Sequence, residues 1–274
     1  MNEAIERAAE LIDQADAIVI AAGAGMGVDS GLPDFRGSDG FWYAYPALGH
    51  ARMIFAEVAS PRTFRSEPRL AWGFYGHRLE LYRETVPHSG FAILQRWARR
   101  MSHGAFVFTS NVDGQFQKAG FDAGCVHECH GSIHALQCLG PCCDRIWPAD
   151  DLTPSIDRDA CRWLGELQTC PLCGGLLRPN ILMFGDGAWL AHRSDQTRAA
   201  LDAWLARVRR PVVIELGAGT SIPSVRYFGN EVVHLYGGRL IRISPREAQV
   251  GSMDAGLRTG ALAGLRAIDE RLSG

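Results

Sequence analysis

Four short runs of this chain are apolar almost without interruption: AIVIAA at Ala17–Ala22, AFVFT at Ala105–Thr109, VVIEL at 212–216 and LIRI at 240–243. A strand with one face in water alternates apolar and polar side chains, so a continuous apolar run marks a strand covered on both faces. Helical patterns separate the runs, at 90–100, 196–208 and 255–270. Before the first run, Ile5, Ala8, Ala9 and Ile12 share one face of a helix expected over residues 3–14. Strands alternating with helices specify an α/β fold, with a parallel sheet and helices on both of its faces.

Two stretches break this rhythm. Residues 38–88 are rich in aromatic residues and arginine and read as mainly helical, and residues 134–180 hold most of the cysteines and several prolines. They are expected to build a second, smaller lobe (38–88 and 134–180) inserted into a main domain made from 1–37, 89–133 and 181–274. A cleft between two lobes is a usual place for a ligand. The formal net charge of -2 gives no general attraction to nucleic acid. The longest apolar stretch, 17–28, is too short and glycine-rich to span a bilayer. The mixed-charge N-terminus lacks the form of a signal peptide, so a cytoplasmic address is expected, with no membrane partner. In a reducing compartment eight cysteines argue for a metal or free thiols rather than disulfides.

The first apolar run ends in GAGMGVDSGLPDFRG, residues 23–37. Glycines at a strand-to-helix turn let backbone N–H groups approach a pyrophosphate. The spacing departs from the common dinucleotide fingerprint, because Val28 stands where a glycine or alanine is usual, and the loop continues into Pro33-Asp34-Phe35-Arg36-Gly37. Further along, Thr109-Ser110-Asn111-Val112-Asp113 follows the second run, and His130 lies seventeen residues after Asp113 and eight before Cys138. Cys138 with Cys142 or Cys143, then Cys170-Pro-Leu-Cys173, form two short-range thiol pairs, the pattern of a closed tetrahedral zinc site. Cys143 is taken as the second ligand beside Cys138, Cys170 and Cys173, although spacing leaves Cys142 in competition.

Together these motifs resemble the sirtuin family of NAD-dependent protein lysine deacylases, in that family's order and over residues 17 to about 246. The resemblance implies a Rossmann-like parallel sheet with a smaller zinc-binding lobe formed by insertions. It implies NAD as a consumed co-substrate, structural zinc, and acyl-lysine proteins or peptides as partners. Gly23, Ala24, Gly25, Gly27, Asp34, Phe35, Arg36, Ser110, Asn111, Asp113 and His130 would line the cofactor site. Gly219-Thr220-Ser221 and Ser244 would meet its adenosine end. Asn111 and Asp113 would read the nicotinamide amide and His130 would be the general base on a ribose hydroxyl. Products would be nicotinamide, lysine and O-acyl-ADP-ribose. Arg178-Pro179-Asn180 through Phe184-Gly185-Asp186 resembles the segment that adds the substrate peptide as a strand, with Phe184 and Gly185 at the peptide.

Gly27, Ser110 and Ser244 depart from the family's usual residues there, which keeps an ADP-ribosyl transferase or NAD hydrolase on the same fold as the alternative. Tyr75-x-x-Arg78 resembles the carboxylate clamp of the family's desuccinylase and demalonylase branch, with Ala47 as that branch's small pocket residue. Succinyl or malonyl groups are therefore the expected acyl preference. The competing reading makes Arg78 a solvated helix arginine and Tyr75 a core ring.

Overall fold

The structure is a computed structural model that describes residues 1–33 and 37–274, with side chains described for 1–33 and 41–274. Asp34, Phe35 and Arg36 lie outside the described residues. Helix α1 (Asn2–Asp13) leads into β1 (Ala17–Ala22). Five helices follow: α2 (Gly37–Ala44), α3 (Pro46–His50), α4 (Phe55–Val58), α5 (Pro61–Ser66) and α6 (Pro68–Glu84). The main sheet resumes with α7 (Ser89–Arg100), β2 (Ala105–Thr109), the short α8 (Gln115–Lys118) and β3 (Val126–Glu128). Then come β4 (Gly131–Cys138), β5 (Ile146–Pro148), β6 (Ile156–Asp157), β7 (Arg162–Trp163) and β8 (Leu177–Ile181). The chain closes with α9 (His192–Leu205), β9 (Pro211–Leu216), α10 (Ser224–Tyr236), β10 (Arg239–Ile243), β11 (Ala255–Leu257) and α11 (Ala261–Ser273).

Six parallel strands lie in the order β11-β10-β9-β1-β2-β3. Every residue of β1 is buried, as its unbroken apolar run requires. One face of the sheet packs Ile18, Ile20 and Ala22 against Ile12, Leu94, Trp97 and Leu265 from α1, α7 and α11. The other packs Val19, Ala21 and Phe108 against Leu201, Leu205, Phe228 and Val232 from α9 and α10. Period-2 alternation thus sends successive residues of one strand into two separate cores. The chain moves outward from β1 through β2 and β3 on one side and returns through β9 and β10 on the other. That reversal opens a crevice at the carboxyl ends of β1 and β9, where open α/β sheets bind ligands.

A third core joins α2–α6 to the antiparallel sheet β5-β4-β8 and to the β6-β7 hairpin, around Phe64, Trp72, Phe74, Tyr75 and Trp163. Residues 38–88 are mainly helical, as expected. Gly73 and Gly76 on α6 let the β6-β7 hairpin press against the helix: a Cβ at Gly73 would stand 2.2 Å from the Cys161 carbonyl oxygen.

Two helix expectations are corrected. Residues 255–257 form the edge strand β11, paired parallel with β10, and the helix begins only at Ala261 after Gly260. A three-residue apolar segment has no periodicity to tell strand from helix, so the available sheet edge decides. Helix α9 is displaced toward the N-terminus of the expected 196–208, and α10 was not anticipated.

Candidate functional site

The loop after β1 and the loop after β9 meet backbone to backbone. Gly23 N–H donates to the Leu216 carbonyl and Gly25 N–H to the Gly217 carbonyl. Gly217 has φ +59°, and a Cβ there would stand 2.3 Å from the Gly25 carbonyl carbon. Only glycine fits, both for its φ and for the space. Ala24 begins a single 3₁₀ turn that ends at Gly27. A Cβ at Gly27 would crowd the Leu32 side chain at 3.0 Å, so a larger residue there requires Leu32 to shift.

The β2 loop joins from the other side. Ser110 N–H donates to the Ala22 carbonyl, and the Asn111 amide donates to the Gly23 carbonyl at 3.1 Å. Asp113 is buried, its Oδ1 accepting from Gln115 N–H, while the His134 ring meets the Asp113 carbonyl at 3.0 Å. Burial pushes the Asp113 carboxyl up to about 6, against the Gln115 hydrogen bond that lowers it.

His130 sits in the turn between β3 and β4. Cys129 N–H donates to the Thr109 carbonyl, Leu182 N–H donates to the His130 carbonyl, and Gly131 pairs so closely with β8 that a Cβ would lie 2.1 Å from the Asn180 oxygen. The ring is mostly buried, and burial lowers its pKa, opposed by a hydrogen bond to the Ser110 backbone. A neutral imidazole near pH 7 is the form a general base needs. Its Nε2 lies 3.2 Å from Ser224 Oγ.

At the far end of the crevice, Thr220 and Ser221 are exposed, and there is open space where a Cβ on Gly219 would stand. The loop is braced by residues the sequence reading missed. Arg226 donates to the Ala218 carbonyl and to Glu247, Thr220 donates to Glu247 Oε1 at 2.8 Å, and Arg242 clamps the buried Glu215 with contacts of 2.6 and 3.0 Å. A glutamate and an arginine inside two apolar runs were the available signal. Ser244 is buried, its hydroxyl accepting from Glu247 N–H, so it shapes this loop from beneath.

On α6, Arg78 is buried rather than solvated. It donates to the Tyr82 hydroxyl, its Nε at 2.8 Å, and its guanidinium lies over the Phe74 ring. Tyr75 is fully buried and stacks on Phe64. The phenol that hydrogen-bonds Arg78 is that of Tyr82, one helical turn on at i+4, while Tyr75 lies in the same buried core. Ala47 packs against the same core. Phe184 is partly exposed, its ring edge-on to Phe55 and its N–H donating to the Ala59 carbonyl, and Gly185 has φ +66°.

The sulfurs of Cys138, Cys142, Cys170 and Cys173 all lie within 4.8 Å of one another. Cys138 and Cys173 are 3.7 Å apart and Cys142 and Cys170 are 3.6 Å apart. A tetrahedron with Zn–S bonds of about 2.3 Å has S···S edges of about 3.8 Å, so the four thiols fit zinc, and four sulfurs make a closed, structural site. The expectation of Cys143 is corrected to Cys142. Neighbouring side chains diverge, and the one turned toward Cys170 belongs to Cys142, with Cys143 Sγ 3.9 Å outside it.

A parallel sheet with a glycine-lined crevice, a histidine over it and a four-thiol lobe beside it define a two-lobed α/β protein of nucleotide-binding architecture. The Sir2 family model matches residues 23–204, and the chain belongs to that family. Among its relatives, the NAD-dependent protein deacylase of Pyrococcus furiosus is 32% identical over 179 residues, which is 65% of this chain and 64% of the relative. The match thus spans a little under two thirds of that relative's length. The NAD-dependent protein deacylase of Thermococcus kodakarensis is 30% identical over 238 residues, covering 86% of this chain and 83% of the relative. A solved Sir2 homolog–NAD complex superposes with a TM-score of 0.71 at 23% identity, over 98% of this chain and 93% of that one, which shows the shared fold.

Two outcomes are expected from this geometry. Folded protein should carry one zinc per chain by metal analysis, and Cys170→Ser should lose it and lower the melting temperature, since zinc binding contributes directly to folding. Asp113 titrates higher in the fold than its ordinary 3.8, so its contribution to stability is present at low pH and lost as pH rises through about 6. Asp113→Asn should therefore stabilise the protein at pH 8 by up to about 3 kcal/mol, at 1.36 kcal/mol per unit. Thermal melts across pH should show the gain vanishing below pH 4.

Proposed function

We propose that this protein removes acyl groups from protein lysines at the expense of NAD, giving nicotinamide and O-acyl-ADP-ribose. The observation that carries the reading is His130, mostly buried and held neutral, beside the crevice formed by the loops after β1, β2 and β9. Membership of the Sir2 family and relatives named NAD-dependent protein deacylase support it. So does the solved family member bound to a propionylated peptide, TM-score 0.67 at 20% identity over 96% of this chain and 95% of that one.

NAD supplies an electrophilic ribose carbon with nicotinamide as leaving group. The backbone of 23–27 and the open space at Gly219 accommodate its phosphates and adenosine end. Asn111, anchored to the Gly23 carbonyl, and Asp113 orient the carboxamide, and Asp113 is ionised above about pH 6. His130 accepts the proton of a ribose hydroxyl at Nε2. The half-exposed Leu182 and Phe184 side chains, beside the His130 turn, are the surface over which an extended peptide would lie. The four cysteines hold the small lobe and take no part in the chemistry.

The finer reading is a preference for acidic acyl groups. Its support is the buried Arg78 guanidinium, bounded by the Tyr82 hydroxyl and the Phe55 and Phe74 rings, a setting in which a carboxylate gains a charge-assisted hydrogen bond.

The deciding assay incubates NAD with a panel of acyl-lysine peptides and quantifies nicotinamide and deacylated peptide together. One nicotinamide per deacylated lysine is expected. Nicotinamide released freely without peptide would favour an NAD hydrolase instead. His130→Ala should abolish deacylation while leaving NAD binding largely intact by calorimetry. Arg78→Met should cost succinyl-lysine or malonyl-lysine turnover about one to two decades, from a charged hydrogen bond of roughly 1.5–3 kcal/mol. Acetyl-lysine turnover should change little. Equal loss on all acyl groups would remove the acidic-acyl preference alone.

A further inference from the structure

Helix α10 opens with Pro223 at its N-cap, a residue with no side-chain hydroxyl to offer, and the helix has no side-chain cap hydrogen bond. The next residue, Ser224, has a hydroxyl at the right end of the helix to serve its own backbone, yet that hydroxyl meets His130 Nε2 at 3.2 Å. The two residues are 94 positions apart, one on the β3–β4 turn and one on the element that follows the β9 loop. The pairing therefore joins the β3–β4 turn directly to the first turn of α10.

The roles of the two ring nitrogens follow from their partners. The Ser110 backbone favours the protonated ring, which is the effect of a carbonyl near the imidazole, and with Nε2 at Ser224 that carbonyl is read as facing Nδ1. A carbonyl only accepts, so Nδ1 carries the hydrogen and Nε2 of the neutral ring holds the lone pair. Ser224 must then donate to Nε2. A hydroxyl can reverse this role: once Nε2 takes a proton, Ser224 Oγ can accept from it.

We propose that Ser224 is a positioning residue for His130, fixing its Nδ1–H tautomer, aiming Nε2 across the crevice, and accepting from Nε2 after it is protonated. The proposal rests on the reading of His130 as the general base. The proton balance is simple. The ribose hydroxyl displaces the Ser224 donor from the single Nε2 lone pair and gives its proton there, and Ser224, keeping its own proton, then accepts from Nε2–H, with no further reactant needed.

The electrostatic surroundings leave Ser224 in a position to matter. On the β3–β4 turn, the neighbouring Cys129 thiol is pushed up to about 12 by burial and stays neutral, and Glu128 is paired with Arg193. On the β2 loop the titratable group is Asp113, and on α10 Arg226 is committed to Glu247. From the end of β8 the contact is the Leu182 N–H. The downward shift of His130 comes from burial, opposed by Ser110.

The test uses Ser224→Ala and Ser224→Thr in the full chain, with the His130 pKa read by NMR from the resonance lost in His130→Ala. Ser224→Ala loses a bond to each ring state, and the one to the protonated ring is charge-assisted and stronger, so the His130 pKa should fall by about half a unit to one unit. Deacylation kcat should fall about 3- to 10-fold, with the KM for NAD moved less than about twofold. Ser224→Thr, which keeps the hydroxyl, should restore both. An unshifted pKa in Ser224→Ala, an unchanged kcat, or a Thr variant no better than the Ala variant would overturn the proposal. If the wild-type chain deacylates no peptide, the functional reading fails, and the pKa comparison alone then decides whether Ser224 positions the ring.

Discussion

The contact on which the site depends is the one between two glycine loops. β1 and β9 are adjacent parallel strands, and their carboxyl ends carry Gly23-Ala24-Gly25 and Gly217-Ala218-Gly219. With no Cβ between them, the loops approach until Gly23 and Gly25 donate to Leu216 and Gly217. That closeness fixes where each loop leaves the sheet. Asn111 is then anchored on Gly23, and Thr220 and Ser221 are carried on the opposite wall, braced by the Arg226–Glu247 pair. A sheet buried on both faces holds its strands in register, so a crevice at its end inherits that rigidity.

The second lobe is fastened to this frame by polar groups that have left water. Arg178 and Asp186 are both fully buried and make contacts of 2.7 and 2.9 Å. Asp186 also accepts from Ala188 N–H, and Asn180 donates to Gln137 and to the Leu190 carbonyl. A buried ion pair adds little net stability over an apolar pair of the same shape, while breaking it costs about 3–5 kcal/mol. Its effect is to exclude other arrangements of the segment from β8 to Phe184, which carries both the contact to the His130 turn and the exposed Leu182 and Phe184 side chains. The thiol cluster closes the opposite end of the same antiparallel sheet. The small lobe is thus held at one end by a metal-ligating knuckle and at the other by buried charge.

Much of the main sheet was legible because its signals are local. Unbroken apolar runs located β1 and β2 to the residue, and β9 and β10 to within one. The glycine turn, the Asn111 and Asp113 segment and the cysteine knuckle were recognisable as short motifs. Other features had no local signal. Ala255–Leu257 is strand because β10 offered a free edge, and Arg78 meets Tyr82 because helical geometry brings side chains at i and i+4 together. Cys142 and Cys143 are equivalent in spacing, and their side-chain directions separate them.

The sequence by itself determined the class of fold, the family, and the residue types available to the crevice, because apolar period, glycine placement and thiol spacing act over a few residues. Tertiary structure decided which of those residues meet. Ser224 reaches His130, Arg242 reaches Glu215 and Arg178 reaches Asp186 only when β-strands and loops from distant parts of the chain are brought side by side. Partnership between buried polar groups is set by the packing around them, since each must find its hydrogen-bond partner among whatever the fold places within about 3 Å.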